Sequence, residues 1–201
     1  QPIIDQAIKD KAYPEAIKAI AKKIALEGNI QGNKPEERIF RMEAEIAKAP
    51  KEMVPVMDAI LAHWYWHYFQ QNRWRFVRRT QTAEAPGKDI QTWDLARIMT
   101  EIDKKFAKAL SAEKELKAIP IADYDALFEK GTLPDSYRPT VYDFLAHDAI
   151  AFYVSPEQAG AKAEDEFELL ASSPIFAPAD EFRKWEIQTT DADSRLVKAI
   201  R

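Results

Sequence analysis

The chain has 201 residues, enough for one substantial hydrophobic core or two small domains. Apolar residues make up 46% of it and charged residues 31%, which is the balance of a folded globular protein and excludes a disordered or collagen-like chain. Its 29 basic and 33 acidic residues give a net charge of -4, so we expect no general attraction to nucleic acid or to an anionic membrane. Cysteine is absent, which excludes thiol catalysis, disulfides and thiolate zinc sites.

The composition favours helices over strands. Glycine is scarce, with 5 residues, and the 12 prolines stand mainly where helices begin or connections turn. We therefore predict an all-α fold, either an irregular helical bundle or a short tetratricopeptide-like (TPR-like) α-solenoid of about eight helices. Charges interrupt every apolar run well before the roughly 20 residues that a spanning helix needs, so we expect no membrane-spanning segment.

The first fifty residues predict a short helical turn and then two helices joined by a short link. A helical turn over residues 3–8 precedes a helix that begins at Tyr13 and Pro14 and ends near Gly28, where a left-handed cap is available. The next helix begins after Asn33, whose side-chain oxygen is expected to accept a hydrogen bond from the backbone amide of Glu36. The apolar residues of the two helices recur three and four apart: Ala16, Ile17, Ile20 and Ile24, then Ile39, Met42, Ile46 and Ala49.

The third predicted helix runs over residues 52–72 and is apolar around almost its whole circumference, which is typical of a central helix covered on several sides. Residues 73–92 follow no helical or strand period and contain the turn-forming sequence Ala85-Pro86-Gly87. We therefore predict that residues 73–92 form a long loop. Loops of this length are often functional.

A fourth helix is predicted to begin after Thr92 or Asp94 and has the cleanest helical period of the chain. Its apolar residues are Leu95, Ile98, Met99, Ile102, Phe106, Ala109 and Leu110. Further helices are predicted over residues 112–117, over 121–130 with a stop at Gly131, and from Pro139 to Val154. Short helices or turns are expected near residues 156–160, 164–170 and 179–183.

Three histidines raise the question of a metal site. His63 and His67 are four residues apart on a predicted helix, a spacing at which two imidazoles can bind one zinc ion. The remaining histidine, His147, lies in a separate helix beside Asp148. The favoured interpretation is aromatic packing with hydrogen-bonded rings, and we expect no metal and no other cofactor. The alternative is a zinc-dependent hydrolase that uses His63, His67 and His147.

Arginine and tryptophan alternate where the third helix ends. The favoured interpretation is that these arginines offset the helix dipole and hold residues 73–87 as an ordered loop on the third and fourth helices. The alternative is an anion-binding or peptide-binding patch. The candidate partner-binding residues are Arg73, Trp74, Arg75, Arg78, Arg79 and Trp93. No phosphate-binding loop, nucleophile elbow or kinase motif occurs, so we predict no catalytic residue and no enzyme.

Several stretches rich in tryptophan, arginine and tyrosine resemble the N-terminal helical region of bacterial alpha-2-macroglobulin family proteins. These stretches are residues 60–66, 71–76, 79–84, 92–95 and 137–144. The resemblance covers residues 10–201. It implies a helical segment ahead of the macroglobulin β-sandwich domains of a large secreted or periplasmic protein whose family traps or inhibits proteases. Family members have a protease-cleaved bait region and often a Cys-Gln thioester, neither of which can be assigned to any residue of this chain.

The two ends of the chain, together with the resemblance, lead to an expectation for its domain organisation. The chain begins with Gln1, and residues 194–201 read as a helix without a stop signal, so we expect an exported N-terminal fragment of a larger protein. We predict a single all-helical domain over residues 1–201, with a possible subdivision into helical hairpins (1–72) and a loop with irregular helices (73–201).

The predicted function is a non-catalytic structural or interaction domain of a macroglobulin-like endopeptidase inhibitor. Its location is expected to be periplasmic or at the cell surface, with a lipid anchor possible in the full-length protein. The expected partners are the downstream β-sandwich domains, and proteases are the targets of the whole protein. The second alternative, beside the zinc hydrolase, is a free-standing helical peptide-binding module.

Overall fold

The computed structural model describes residues 2–30, 34–79, 87, 89–125, 127, 134–157 and 176–186. These residues form eight α-helices and no β-strand, which confirms the all-α prediction. The helices are α1 (Pro2–Lys9), α2 (Tyr13–Ile30), α3 (Pro35–Ile46), α4 (Val54–Val77), α5 (Leu95–Leu110), α6 (Glu113–Lys117), α7 (Val141–Tyr153) and α8 (Ala179–Phe182). The chain divides into two compact units, Gln1–Asp148 and Ala149–Arg201.

In the first unit, α2 packs against α1 and α3 because its predicted apolar stripe is buried as a continuous face. One boundary differs from the prediction: Gly28 does not end α2, which continues to Ile30. The Cβ atom of any larger residue at position 28 would lie 3.1 Å from Nε of Arg38. Glycine at position 28 therefore lets the Arg38 side chain of α3 lie close to the backbone of α2. Asn33, the predicted cap of α3, lies outside the described residues.

Helix α4 packs against α3 and α5, as expected of a central helix. Its predicted end at Asn72 is wrong, because the helix continues to Val77. The reason is Phe76, which is buried and whose ring centroid lies 6.1 Å from that of Tyr68 and 5.7 Å from that of Phe69. This aromatic packing stabilises one further helical turn, so residues 73–77 are helix rather than loop.

Helix α5 confirms its prediction, and of the two predicted starts, Thr92 and Asp94, the structure uses Asp94. The Asp94 carboxylate accepts a hydrogen bond of 2.8 Å from the backbone amide of Arg97. This bond satisfies one of the amides that the first helical turn leaves without a partner. The apolar face of α5 then lies on α4, with Ile98, Met99, Ile102 and Phe106 fully buried.

Asp94→Ala is expected to lower the free energy of unfolding by about 1 kcal/mol, since replacing an N-cap costs this much on average. The matched control is Asp89→Ala. The exposed Asp89 carboxylate accepts a hydrogen bond of 2.9 Å from the Gln91 amide, but it caps a three-residue 3₁₀ turn rather than a long helix. Urea unfolding followed by circular dichroism measures both variants. Equal losses for the two would contradict the capping role of Asp94.

Between α6 and α7 the structure departs from prediction. Instead of a helix over residues 121–130, the described part has a 3₁₀ turn at Ile121–Tyr124, and Gly131 lies outside the described residues. A short antiparallel bridge joins this segment to the start of α7, with 3.0 Å bonds from the Ile121 amide to the Pro139 carbonyl and from the Val141 amide to the Ile119 carbonyl. Within the turn, the amides of Asp123 and Asp125 donate to carbonyls three residues earlier, those of Pro120 and Ala122, which is the 3₁₀ and not the α-helical pattern.

The start of α7 is fixed by a reciprocal cap. The Asp143 carboxylate accepts bonds from the Thr140 amide (2.9 Å) and hydroxyl (2.7 Å), while the Asp143 amide donates to the Thr140 hydroxyl oxygen (3.3 Å). This is the arrangement of a capping box. Helix α7 then ends at Tyr153, one residue before its predicted end.

In the second unit, the structure describes residues 149–157 and 176–186. Helix α8 confirms the short helix predicted at 179–183, and the rings of Phe182 and Trp185 meet edge to face at 6.2 Å. Of the segment predicted at 156–160, the structure describes only residues 156 and 157, which form a turn, and the segment predicted at 164–170 lies outside the described residues. Over the described part of the chain, no helix combines the length and apolar character needed to cross a membrane.

Candidate functional site

The candidate site begins with His63 and His67 on α4. The two residues are one helical turn apart, and their ring centroids lie 4.1 Å from each other with an angle of 50° between the ring planes. The Phe144 ring of α7 lies 5.1 Å from the His63 ring. The structure therefore places both imidazoles on one face, as their spacing predicts.

Asp148 of α7 completes the cluster. Its Oδ2 atom is hydrogen bonded to Nδ1 of His63, and one ligand atom from each of His63, His67 and Asp148 lies within 4.8 Å of the other two. We call these three residues the His-Asp cluster. None of them is buried, and the side chains of His63 and Asp148 are 23% and 20% exposed.

His147, the third histidine of the proposed zinc hydrolase, is not in this cluster and is exposed. The reason is helical geometry, because neighbouring residues point about 100° apart around a helix. Val141 and Leu145 of α7 are buried, and position 148 follows them at spacings of seven and three residues, on the same face. Sequence reasoning chose the more familiar zinc ligand and missed the aspartate beside it.

Electrostatics within the His-Asp cluster favour a neutral His67. Partial burial of its ring and the neighbouring His63 lower the pKa of His67, while the Asp148 carboxylate opposes this shift. A neutral imidazole keeps one nitrogen lone pair, which can accept a hydrogen bond or bind a metal ion. His63 and Asp148 form a hydrogen-bonded pair that links α4 to α7.

A groove of about 380 Å³ lies beside the cluster. His67 belongs to both, since it lines the groove together with residues of α2, α3 and α4. The other lining side chains combine apolar surface with two basic groups, a mixture able to hold a small organic or peptide ligand. They are Ala21, Lys22, Ala25, Pro35, Arg38, Ile39, Trp64, Tyr68, Gln71 and Leu127.

The arginine and tryptophan residues predicted to bind a partner lie at the end of α4. Arg73 and Trp74 are exposed on the helix, and Arg78 is exposed directly after it. Arg75 Nη1 donates to Asn72 Oδ1 at 3.5 Å. Arg79 Nη1 donates to the Trp93 carbonyl at 3.2 Å, which ties the end of α4 to the segment before α5.

Trp93 differs from the other residues of this group because it is buried. Its Nε1 atom donates to the Gly87 carbonyl at 2.8 Å, and the Arg97 guanidinium lies 5.0 Å from the centre of its ring. Trp93 therefore anchors the segment before α5 and offers no surface to a partner. Residues 80–86 of the predicted ordered loop lie outside the described residues.

No family model, curated protein or solved structure matches this chain. The resemblance to alpha-2-macroglobulin family proteins therefore stays a prediction from the residues themselves.

Proposed function

We propose that this chain is a non-catalytic helical interaction domain of a macroglobulin-like endopeptidase inhibitor in the bacterial periplasm or at the cell surface. The observation that carries the proposal is an exposed patch at the end of α4, made of Arg73, Trp74, Val77 and Arg78, which we call the Trp74 patch. Trp74 and Val77 are among the exposed large apolar residues of the chain, and the two arginines on either side are exposed as well.

The chemistry of the Trp74 patch is that of a protein contact. Tryptophan and arginine are over-represented among residues whose truncation costs the most binding energy. Residues 73 and 77 are one turn apart on α4, and Arg78, directly after the helix, keeps a helical backbone conformation one turn after Trp74. The four side chains therefore lie along one strip of surface at the helix end. Buried Phe76 keeps this turn helical, and a pre-formed surface loses little entropy when a partner binds.

The partner in this proposal is a β-sandwich domain of the same macroglobulin-like protein. Residues 71–76, one of the stretches that carry the family resemblance, overlap the patch. Proteases are targets of the whole protein and need not touch this chain. The net charge of -4 makes nucleic acid an unsuitable partner for the domain as a whole.

The reading frame that encodes residues 1–201 provides the first test. We expect it to continue past Arg201 into a long sequence with the alternating apolar pattern of β-sandwich strands. A stop codon shortly after Arg201 would contradict the proposal.

The second test is Trp74→Ala, which we expect to weaken association with the polypeptide encoded after Arg201 by about tenfold or more, as for an interface hot spot. Leu26→Ala is the matched control, since Leu26 on α2 and Trp74 are both 63% exposed. Isothermal titration calorimetry measures both affinities, and circular dichroism checks that both variants fold. If Trp74→Ala binds as tightly as Leu26→Ala, the Trp74 patch is not the contact surface.

The groove supports a second candidate function, a free-standing peptide-binding module. Its volume and its mixture of aromatic and basic side chains suit a short segment with an acidic group. This candidate and the interaction domain make opposite predictions for the gene, because a free-standing module requires little coding sequence beyond Arg201. A zinc hydrolase that depends on His147 has no support from the geometry, since His147 is separate from the His-Asp cluster.

A further inference from the structure

We propose that the His-Asp cluster binds one divalent transition-metal ion, with Zn²⁺ as the best fit, through His63, His67 and Asp148. The ion links α4 to α7 as a structural clamp. This inference is independent of the proposed function, and it departs from the expectation of no metal that the sequence alone suggested.

The spacing of the ligand atoms carries the inference. In a tetrahedral zinc site the ligands lie about 2.0–2.2 Å from the ion and therefore about 3.3 Å from one another. The candidate ligand atoms of His63, His67 and Asp148 are already within 4.8 Å of each other, so rotations of side chains that are not buried can close the remaining distance. Helix α4 supplies both histidines one turn apart, and α7 supplies the carboxylate.

The donor set and its charge suit this class of ion. Imidazole nitrogens are preferred ligands of zinc, copper and nickel, whereas magnesium and calcium prefer oxygen atoms throughout. One carboxylate and two neutral imidazoles leave a net charge of +1 with a divalent ion, which a partly solvated site tolerates. Three protein ligands leave one tetrahedral position for water.

A metal-free interpretation of the same geometry makes a different prediction for His67. The hydrogen bond between His63 and Asp148 links α4 to α7 by itself and makes no use of His67. A bound ion uses all three side chains. The decisive residue is therefore His67, because its removal leaves the His63 to Asp148 contact in place but takes away one metal ligand.

The experiment titrates the chelator-treated protein with zinc chloride by isothermal titration calorimetry and records the absorption spectrum of the Co²⁺-loaded protein. We expect one zinc ion to bind per chain. The absorption spectrum of the cobalt-loaded protein should be that of four-coordinate rather than six-coordinate Co²⁺. His67→Ala and Asp148→Asn should each weaken zinc binding at least tenfold. His147→Ala is the matched control, because His147 is exposed, lies next to Asp148 and is outside the cluster. This variant should bind zinc with the affinity of the wild type.

Thermal unfolding gives a second readout. Zinc should raise the melting temperature of the wild type and of His147→Ala, since an ion that binds the folded state stabilises it, and the same zinc concentration should raise that of His67→Ala by less. If His67→Ala proves unfolded without metal, His67→Gln replaces it. The proposal is overturned if the wild type binds no zinc at micromolar concentrations, or if His147→Ala loses as much affinity as His67→Ala. Neither result would affect the Trp74 patch.

Discussion

Replacing Phe106 by alanine is expected to lower the free energy of unfolding by about 3–5 kcal/mol, the usual cost of truncating a fully buried phenylalanine. Phe106 lies in the middle of α5, has no exposed surface, and belongs to the face with which α5 packs against α4. The loss combines the free energy that burial of the ring contributes to folding with the cost of the cavity that remains, since both helices are held by other contacts and close the gap only in part. Urea unfolding and the melting temperature measure it.

Phe176→Ala controls for the chemical change itself. The same six-carbon ring is removed, but Phe176 is 63% exposed, so the expected loss stays within about 0.5 kcal/mol. If the two variants lose similar amounts of stability, Phe106 is not in a packed core, and the assignment of the α4 and α5 contact as the centre of the first unit is wrong.

Helix α5 shows which parts of the fold the sequence can predict. Its apolar residues keep a period of three to four over the whole length, and two capping residues, Thr92 and Asp94, precede the first of them, so local chemistry predicts the helix and limits its start to two positions. Residues 73–77 show the opposite case. Their run of arginine and tryptophan has no apolar period, and the helix continues because Phe76 reaches Tyr68 and Phe69, a contact that single-residue propensities do not contain.

The candidate site also has one part that the sequence predicts and one part that depends on tertiary structure. The spacing of His63 and His67 predicts that they share a face, because both belong to one helix. Which residue of α7 meets them depends on the rotation of that helix, and the partners are 85 positions apart in sequence. That rotation is set by the bridge to Ile119 and Ile121 and by the capping box of Thr140 and Asp143. The spacing of Val141 and Leu145 puts position 148 on the buried face of α7, but it does not say that this face meets His63 and His67.

The last prediction concerns a polar contact inside the first unit. The Tyr65 hydroxyl on α4 donates to Glu43 of α3 at 3.0 Å, and Nζ of Lys105 on α5 lies 2.6 Å from the same carboxylate oxygen. Tyr65 is buried, and burial together with the Glu43 charge raises the pKa of Tyr65 far above its usual value. The hydroxyl therefore stays protonated and acts as a donor that needs an acceptor.

Glu43→Leu is expected to cost about 2 kcal/mol, because it leaves a buried hydroxyl without its acceptor and removes one partner of Lys105. Tyr65→Phe should cost about 1 kcal/mol or less, since it removes the donor together with its need for a partner. Lys105 retains Glu101 at 3.5 Å in both variants.

The double variant Glu43→Leu/Tyr65→Phe separates the unsatisfied hydroxyl from other effects of the leucine. Once the donor is gone, removing the acceptor should cost less free energy of unfolding than it does in the wild type. The sum of the losses of the two single variants should therefore exceed the loss of the double variant. Urea unfolding of the four proteins measures this coupling. Additive losses would mean that water reaches the Tyr65 hydroxyl when Glu43 is absent, and that the link between α3 and α4 depends on apolar packing instead.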